Sequence, residues 1–153
     1  MPDSGDTAWL LTSAALVLFM TPGLALFYGG MVRAKNVLNM LMQNFFTITI
    51  VTVLWVIIGY TLAFGPDAGG GLIGKLDFIG LKDVTGKNVF IGTHVPDNVF
   101  MVFQMMFAVI TPALITGAIA ERIKFSAWVV FCLLWSLLVY MPVAHWAFAA
   151  DGW

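Results

Sequence analysis

Charge is scarce in this sequence, and several classes of function are excluded by what is missing. Only 10% of the 153 residues are Asp, Glu, Lys or Arg, and the formal net charge is −1. Nucleic-acid binding needs a concentrated basic surface, so we expect no nucleic-acid partner. Cys132 is the single cysteine, which leaves no pair for a disulfide within the chain.

Groupings of catalytic and metal-binding residue types are also missing. No His, Cys and carboxylate side chains recur at metal-ligand spacing, so we expect no metal site and no cofactor. The serines, Ser13, Ser126 and Ser136, have no nearby base in the sequence with which to form a nucleophilic triad. The sequence therefore does not indicate an enzyme.

Apolar residues make up 61% of the chain, against about 45–50% in typical soluble domains. Four long apolar runs contain no charged residue, and they predict membrane spans at about 9–32, 40–64, 99–120 and 125–143. The third run has about 22 residues, which as a helix span roughly 33 Å, the thickness of a bilayer's hydrocarbon core. We therefore predict an all-α, polytopic membrane helix bundle.

Basic residues in the connections predict the orientation of the bundle. The loop 65–97 carries three lysines in more than thirty residues, and its LIGKLDFIGL stretch predicts a short amphipathic or irregular element. The two short connections are denser in positive charge, with Arg33, Lys35, Arg122 and Lys124. The positive-inside rule then favours short loops in the cytoplasm, an outer loop at 65–97 and an outside N-terminus.

Prolines and polar residues mark particular helix faces. Pro22 and Pro112 lie inside the first and third spans and predict a kinked or broken helix at each. Gln43 and Thr47 share one face of the second span, where either interhelical hydrogen bonding or pore lining would explain them.

The third span has an unusual face. Phe100, Phe103, Phe107 and Thr111 recur at helical spacing, which predicts a ladder of rings and a hydroxyl. Ring faces attract a small cation, and closely spaced rings form a dry constriction that rejects hydrated ions. The alternative is that these are ordinary apolar filler, since the chain has thirteen phenylalanines.

The two histidines lie outside the predicted spans. His145 follows Pro142 and precedes Trp146, which is typical of an interfacial anchor. A proton-handling role would need a second titratable group within hydrogen-bond reach, and none is evident in the sequence. His94, in the long loop, is expected to be a solvated surface residue.

Three blocks of sequence closely resemble the ammonium transporter family, the Amt/Mep/Rh group. They are FMTPGLALFYGGMVRAKNVLNM, FQMMFAVITPALITGAIAERIKFSA and YMPVAHWAF, and the similarity runs from about residue 6 to residue 153. The resemblance implies an eleven-helix transporter with two inverted repeats, of which residues 1–153 would be a partial domain holding four helices and the start of a fifth. It also implies ammonium or methylammonium as substrate, a homotrimer in the plasma (cell inner) membrane, and a PII-type regulator.

The resemblance also assigns roles to individual residues. It identifies a recruitment and gate set, which is Phe103, Phe107 and Phe148, and candidate vestibule support from Tyr140 and Trp146. Many members have tryptophan where this chain has Phe148. Because a phenyl face is a weaker cation partner than indole, either recruitment is weaker here or Trp146 or Trp153 substitutes.

The family's DFAGG…H segment, which supplies a pore histidine, is expected shortly after Trp153, so this chain resembles the first third to two-fifths of a transporter. We expect that such a piece does not conduct alone. The leading hypothesis is ammonium or ammonia transport, with this chain supplying the outer vestibule and phenylalanine gate. The alternatives are an ammonium-sensing or assembly module that does not conduct, and a gas channel of the Rh type, which the Amt-like ERIKFSA and PVAHW blocks make less favoured.

Overall fold

The structure is a computed structural model that describes residues 2–86, 90 and 92–153. Four helices in it are long and apolar enough to cross a membrane. We number them α1 (Ser4–Met31), α2 (Ala34–Phe64), α3 (Asp97–Ile115) and α4 (Phe125–Phe148). The predicted all-α membrane helix bundle is confirmed.

The helix ends differ from the ends of the apolar runs because local capping and turns set them. α1 begins at Ser4, since the Asp3 carboxylate accepts the backbone N–H of Asp6 at 2.9 Å and caps the first turn. α3 ends at Ile115 rather than near 120, and tighter turns follow, in which Thr116 N–H donates to the carbonyl of Ala113.

The start of a fifth helix, expected after residue 143, is not found among the described residues. The segment Met141–Phe148 instead continues α4. Pro142 lies just after the π-turn Ser136–Tyr140, and the helix continues through it to Phe148. Residues 149–153 follow in turn and coil conformation.

The irregular turns in the helices do not lie at Pro22 or Pro112, where the sequence predicts a kinked or broken helix. α1 and α3 run without a break through Pro22 and Pro112, and Pro112 is buried against protein. The irregular turns are π-helical and lie in α2 at Trp55–Gly59 and in α4 at Ser136–Tyr140. The two π-turns are neighbours, with the ring centroids of Trp55 and Tyr140 at 6.4 Å. π-turns inside helices occur frequently at functional sites.

α2 is the central helix, since it packs against α1, α3 and α4, and α1 packs also against α3. Its polar side chains face inward. Asn44 Nδ2 donates to the hydroxyl of Thr116 at 3.1 Å, and the indole N–H of Trp128 donates to the hydroxyl of Thr47 at 3.2 Å. Thr47 therefore bonds between helices, which is the first of the two explanations that its sequence position allowed.

The N-terminus, the long loop and the last residues meet at one end of the bundle. The backbone N–H of Asp3 donates to the carbonyl of His94 at 2.9 Å, and that of Asp67 donates to Asp151 Oδ2 at 2.7 Å. The His94 residue itself is exposed, as expected. The loop contains a short 3-10 turn, Leu76–Leu81, whose middle residues have non-helical backbone angles, so the irregular element is present.

Glu121 ties the two short connections together at the opposite end. Its carboxylate accepts hydrogen bonds from the backbone N–H and Nε of Arg33, each at 2.9 Å, and from Asn36 Nδ2 at 2.8 Å. The hydrogen bond from Arg33 is the largest of the effects that lower the pKa of Glu121 to about 2. Glu121 adopts a φ of 63°, an uncommon value for a residue with a side chain, so this contact holds an otherwise unfavourable turn.

Gly117 lies where α1 approaches the end of α3, and it generates a prediction. A Cβ added there would be 2.6 Å from Tyr28 Cζ, and the Tyr28 hydroxyl donates to the carbonyl of Leu114 at 3.2 Å. Gly117→Ala should push the ring away and destabilise the bundle by about 1–3 kcal/mol. Thermal unfolding in detergent would measure this, with Gly30→Ala as the control, because an added Cβ at Gly30 meets nothing within 4 Å. Equal midpoints for the two variants would contradict the prediction.

Candidate functional site

A cavity of about 330 Å³ lies between α3 and α4, and we call it the α3/α4 cavity. α3 and α4 make few direct contacts, because α2 packs against both of them, and this leaves the space between them open. Among the described residues, the side chains that line the cavity are Phe103, Gln104, Phe107, Thr111, Tyr140 and Phe148.

Four of the five site residues proposed from the sequence line this cavity. Phe103 and Phe107 come from α3, and Tyr140 and Phe148 come from α4. Trp146 does not line it. Its indole N–H donates to the carbonyl of Leu72 at 2.8 Å, so it fastens the long loop to α4 instead. Trp153, the other candidate to replace the tryptophan that many family members have at position 148, does not line the cavity either. Its ring centroid is 6.4 Å from that of Trp146.

The rings present their surfaces to open space. Phe103 and Phe107 meet edge to face, with centroids 5.1 Å apart and ring planes at 74°. Phe107 is 37% exposed and Phe148 is 60% exposed, which is high for large apolar side chains. Such rings offer their negative faces to whatever enters the cavity.

The polar groups of the cavity are neutral. The hydroxyl of Thr111 donates to the carbonyl of Phe107 at 2.6 Å, and it also hydrogen-bonds with the hydroxyl of Tyr140. Gln104 adds an amide with both a donor and an acceptor. Gln104 was not among the site residues proposed from the sequence. Phe107 and Thr111 follow it by three and seven residues, and this helical spacing puts the three on the same helix face.

The predicted ladder of rings on α3 is divided between two environments. Phe100, its first member, stacks on Phe90 of the long loop with centroids 3.7 Å apart and ring planes at 10°, and it also packs against Phe64. Phe100 is thus part of the packing around the loop, and only Phe103, Phe107 and Thr111 face the cavity.

His145 is fully buried, so its expected place as an interfacial anchor is wrong. Its Nδ1 is 3.0 Å from the carbonyl of Ala63, and since a carbonyl can only accept, Nδ1 carries the proton. Nε2 has no hydrogen-bond partner and is 3.7 Å from Asp67 Oδ1. A second titratable group is therefore close to this histidine, contrary to what the sequence indicated.

Asp67 is itself held by the turn that follows it. Its Oδ1 accepts the backbone N–H groups of Gly69 at 3.1 Å and Gly71 at 2.8 Å. The bond from Gly69 is the largest of the effects that keep the pKa of Asp67 below its usual value. Within the part of the chain that the structure describes, no three His, Cys, Asp or Glu side chains are grouped so that they could hold a metal ion.

Comparison with known proteins assigns the chain to a family. A family model described as the Ammonium Transporter Family matches residues 8–153. The chain belongs to the ammonium transporter family. It is 51% identical to an ammonium transporter of Mycobacterium tuberculosis (strain H37Rv), in an alignment that covers 99% of this chain and 35% of the relative. It is 52% identical to an ammonium transporter of Bacillus subtilis (strain 168), with 97% and 36% covered.

Solved structures of the family share this fold. Saccharomyces cerevisiae Mep2 superposes with a TM-score of 0.90 at 36% identity, over 99% of this chain and 34% of that one. A protein described as a sensor Amt protein superposes with a TM-score of 0.82 at 26% identity, over 93% and 33%. The chain thus spans about a third of the length of its ammonium transporter relatives.

The bond between Trp146 and Leu72 yields a second prediction. Trp146→Phe keeps an aromatic ring but removes the N–H that donates to the Leu72 carbonyl, and losing such a bond costs about 0.5–1.5 kcal/mol. Amide hydrogen exchange in residues 67–74 should accelerate, because the loop is less firmly held. The control is Trp9→Phe, since Trp9 is 74% exposed. If the two variants exchange alike in this segment, the assigned role of the bond is wrong.

Proposed function

We propose that this chain forms the outer vestibule and phenylalanine gate of an ammonium-transporting pore. The observation that carries the proposal is the α3/α4 cavity, with Phe103, Phe107 and Phe148 around neutral hydrogen-bonding groups. Family membership supports ammonium or methylammonium as the substrate. The chain itself is no enzyme in this proposal, and it needs the remaining two-thirds of its relatives' length for a complete pore.

The chemistry of the cavity fits a small cation that must lose water. None of the described residues that line it is charged, so binding would depend on ring faces and on the oxygens of Gln104 and Thr111. Each ring face is worth about 0.5–2 kcal/mol to a cation, depending on how far the ion is desolvated. The ammonium N–H groups can donate to these oxygens, whereas Na⁺ would have to give up a hydration shell for few ligands.

The remaining expectations belong to the same proposal. The dense positive charge on the two short connections supports a cytoplasmic location for them, with the N-terminus and the long loop outside. The setting would be the plasma (cell inner) membrane, with a homotrimer as the assembly and a PII-type protein as the regulator, as the family resemblance implies. Residues 1–153 are then one part of the transporter domain.

Sensing is the second candidate function. The likeness to a protein described as a sensor Amt protein favours it, at a TM-score of 0.82. A sensor would bind ammonium at the same cavity without conducting it. Measuring uptake and binding side by side in the full-length protein separates the two functions, because a sensor binds methylammonium and transports none.

The aromatic side chain at position 148 gives the first functional prediction. Phe148→Trp, in the full-length protein that carries this sequence, should tighten the apparent affinity for methylammonium by about two- to fivefold, since indole is the stronger cation partner. The measurement is uptake of radiolabelled methylammonium by cells. Phe131→Trp, on the same helix but outside the cavity, is the control and should behave as wild type. Unchanged affinity in Phe148→Trp would contradict the cation–ring argument.

A second functional prediction concerns the gate. Phe107→Ala removes one of the two rings that narrow the cavity, so hydrated Na⁺ should no longer be excluded. Proteoliposomes should then leak Na⁺, and the apparent affinity for methylammonium should weaken by about two- to fivefold. Phe45→Ala, at an exposed position on α2, is the matched control. Exclusion of Na⁺ by Phe107→Ala as tight as in wild type would rule out this ring as the gate.

A further inference from the structure

His145 is a buried titratable side chain that the proposed pore does not use. It lies on α4, it does not line the α3/α4 cavity, and none of its surface is exposed. Its Nδ1 carries the proton and donates to the carbonyl of Ala63 at 3.0 Å. Nε2 is therefore an unprotonated acceptor, and none of the described residues donates to it. Because buried polar atoms nearly always have a partner, this one calls for an explanation.

The group that faces Nε2 is the carboxylate of Asp67, at the start of the long loop. Asp67 Oδ1 lies 3.7 Å from Nε2, beyond the length of an ordinary N–H···O hydrogen bond. While the imidazole is neutral both atoms are acceptors, so no hydrogen bond can form between them. A proton on Nε2 converts the same two atoms into a charge-assisted hydrogen bond, whose usual length is about 2.7–2.9 Å.

Asp67 keeps its charge over the pH range in which histidine side chains titrate, which is between about pH 5 and pH 8. Its Oδ1 accepts the backbone N–H groups of Gly69 and Gly71, and the bond from Gly69 is the largest of the effects that hold the pKa of Asp67 below its usual value. A proton taken up by the pair therefore resides on His145. Burial disfavours an isolated imidazolium, and the facing carboxylate offsets this cost. The Asp67 side chain is 26% exposed, so solvent can supply the proton.

The segments packed against His145 carry other titratable groups, which are Tyr60 on α2, Lys75 on the loop and Asp151 near the last residues. Tyr60 packs among aromatic rings, and Lys75 is exposed. Asp151 Oδ2 accepts the backbone N–H of Asp67 at 2.7 Å. The carboxylate that faces His145 Nε2 is that of Asp67.

Asp67 is also the residue through which several parts of this end of the bundle are joined. Its side chain holds the turn at residues 67–71, and its backbone N–H holds Asp151. Trp146, the neighbour of His145 in sequence, donates to the carbonyl of Leu72 in the same part of the loop. A bond between His145 and Asp67 would therefore act on the start of the loop and on the last residues together.

We propose that His145 and Asp67 form a proton-operated latch between α4 and the start of the long loop. A proton from solvent binds Nε2, a charge-assisted hydrogen bond forms to Asp67 Oδ1, and residues 67–74 are held more firmly against α4. Release of the proton returns the two acceptors to their present separation. The latch rests on the buried Nε2 and on the carboxylate that faces it, so it is independent of what passes through the α3/α4 cavity.

The test is amide hydrogen exchange of residues 67–74 in the full-length protein that carries this sequence, measured in detergent at about pH 5.5 and at about pH 7.5, on either side of the usual histidine pKa. Exchange rates are converted to protection factors, which removes the pH dependence of the exchange chemistry itself. The stabilisation is present when His145 is protonated and is lost as the pH rises. Wild type should therefore show protection about three- to tenfold higher at the lower pH, because the closed latch opposes local opening.

Asp67→Asn is the main variant, since asparagine keeps an oxygen for the glycine N–H groups but removes the charge that faces Nε2. Protection of residues 67–74 in this variant should no longer increase at the lower pH. The matched control is His94→Gln, which changes the exposed histidine of the same loop and should keep the pH dependence of wild type.

Equal protection factors at the two pH values in wild type overturn the proposal. A pH dependence that survives in Asp67→Asn, or that disappears in His94→Gln, does so as well. If Asp67→Asn does not fold, His145→Gln takes its place, because glutamine is polar but does not titrate. Protection that still rises at the lower pH in His145→Gln would equally overturn the latch.

Discussion

A polar group inside a bilayer must find its hydrogen-bond partner within the protein, because hydrocarbon supplies none. The structure meets this constraint for some of its polar groups with contacts between helices, while five buried polar side-chain atoms of the described residues, His145 Nε2 among them, have no partner. Asn44 on α2 reaches Thr116 beyond the end of α3, and Trp128 on α4 reaches Thr47 on α2. Near the other end of the bundle His145 bonds the carbonyl of Ala63 and joins α4 to α2 again. α2 is thereby the helix to which the others are fastened.

Fastening α3 and α4 to α2 rather than to each other leaves a gap between them. That gap is the α3/α4 cavity, and its rings and neutral polar groups come from the two helices on either side. Tyr140, in the π-turn of α4, lines this cavity, and its ring centroid is 6.4 Å from that of Trp55 in the π-turn of α2. An uncharged cavity of this kind suits a bilayer, since a charged side chain there would be costly unless paired.

Charge is confined to the two ends of the bundle, and there it organises the connections. Glu121 joins the two short connections through Arg33, and Asp67 holds the start of the long loop through backbone N–H groups. The long loop is also fixed by packing of Phe100 on its ring partner Phe90. The described part of the loop therefore packs against the helices, and it forms part of the wall of a second cavity.

The sequence by itself determined the membrane setting, the four apolar helices and the family, because these depend on hydropathy and on blocks of residues. Spacing within one helix also placed Phe103, Phe107 and Thr111 on one face of α3. The tertiary structure decided where each helix ends and which residues each aromatic ring contacts. Phe100 packs on Phe90 of the loop instead of lining the cavity, and Trp146 donates to the carbonyl of Leu72. His145 is buried beside Asp67. Each of these outcomes joins segments far apart in the chain, and periodicity within a single helix carries no information about the neighbour against which that helix will pack.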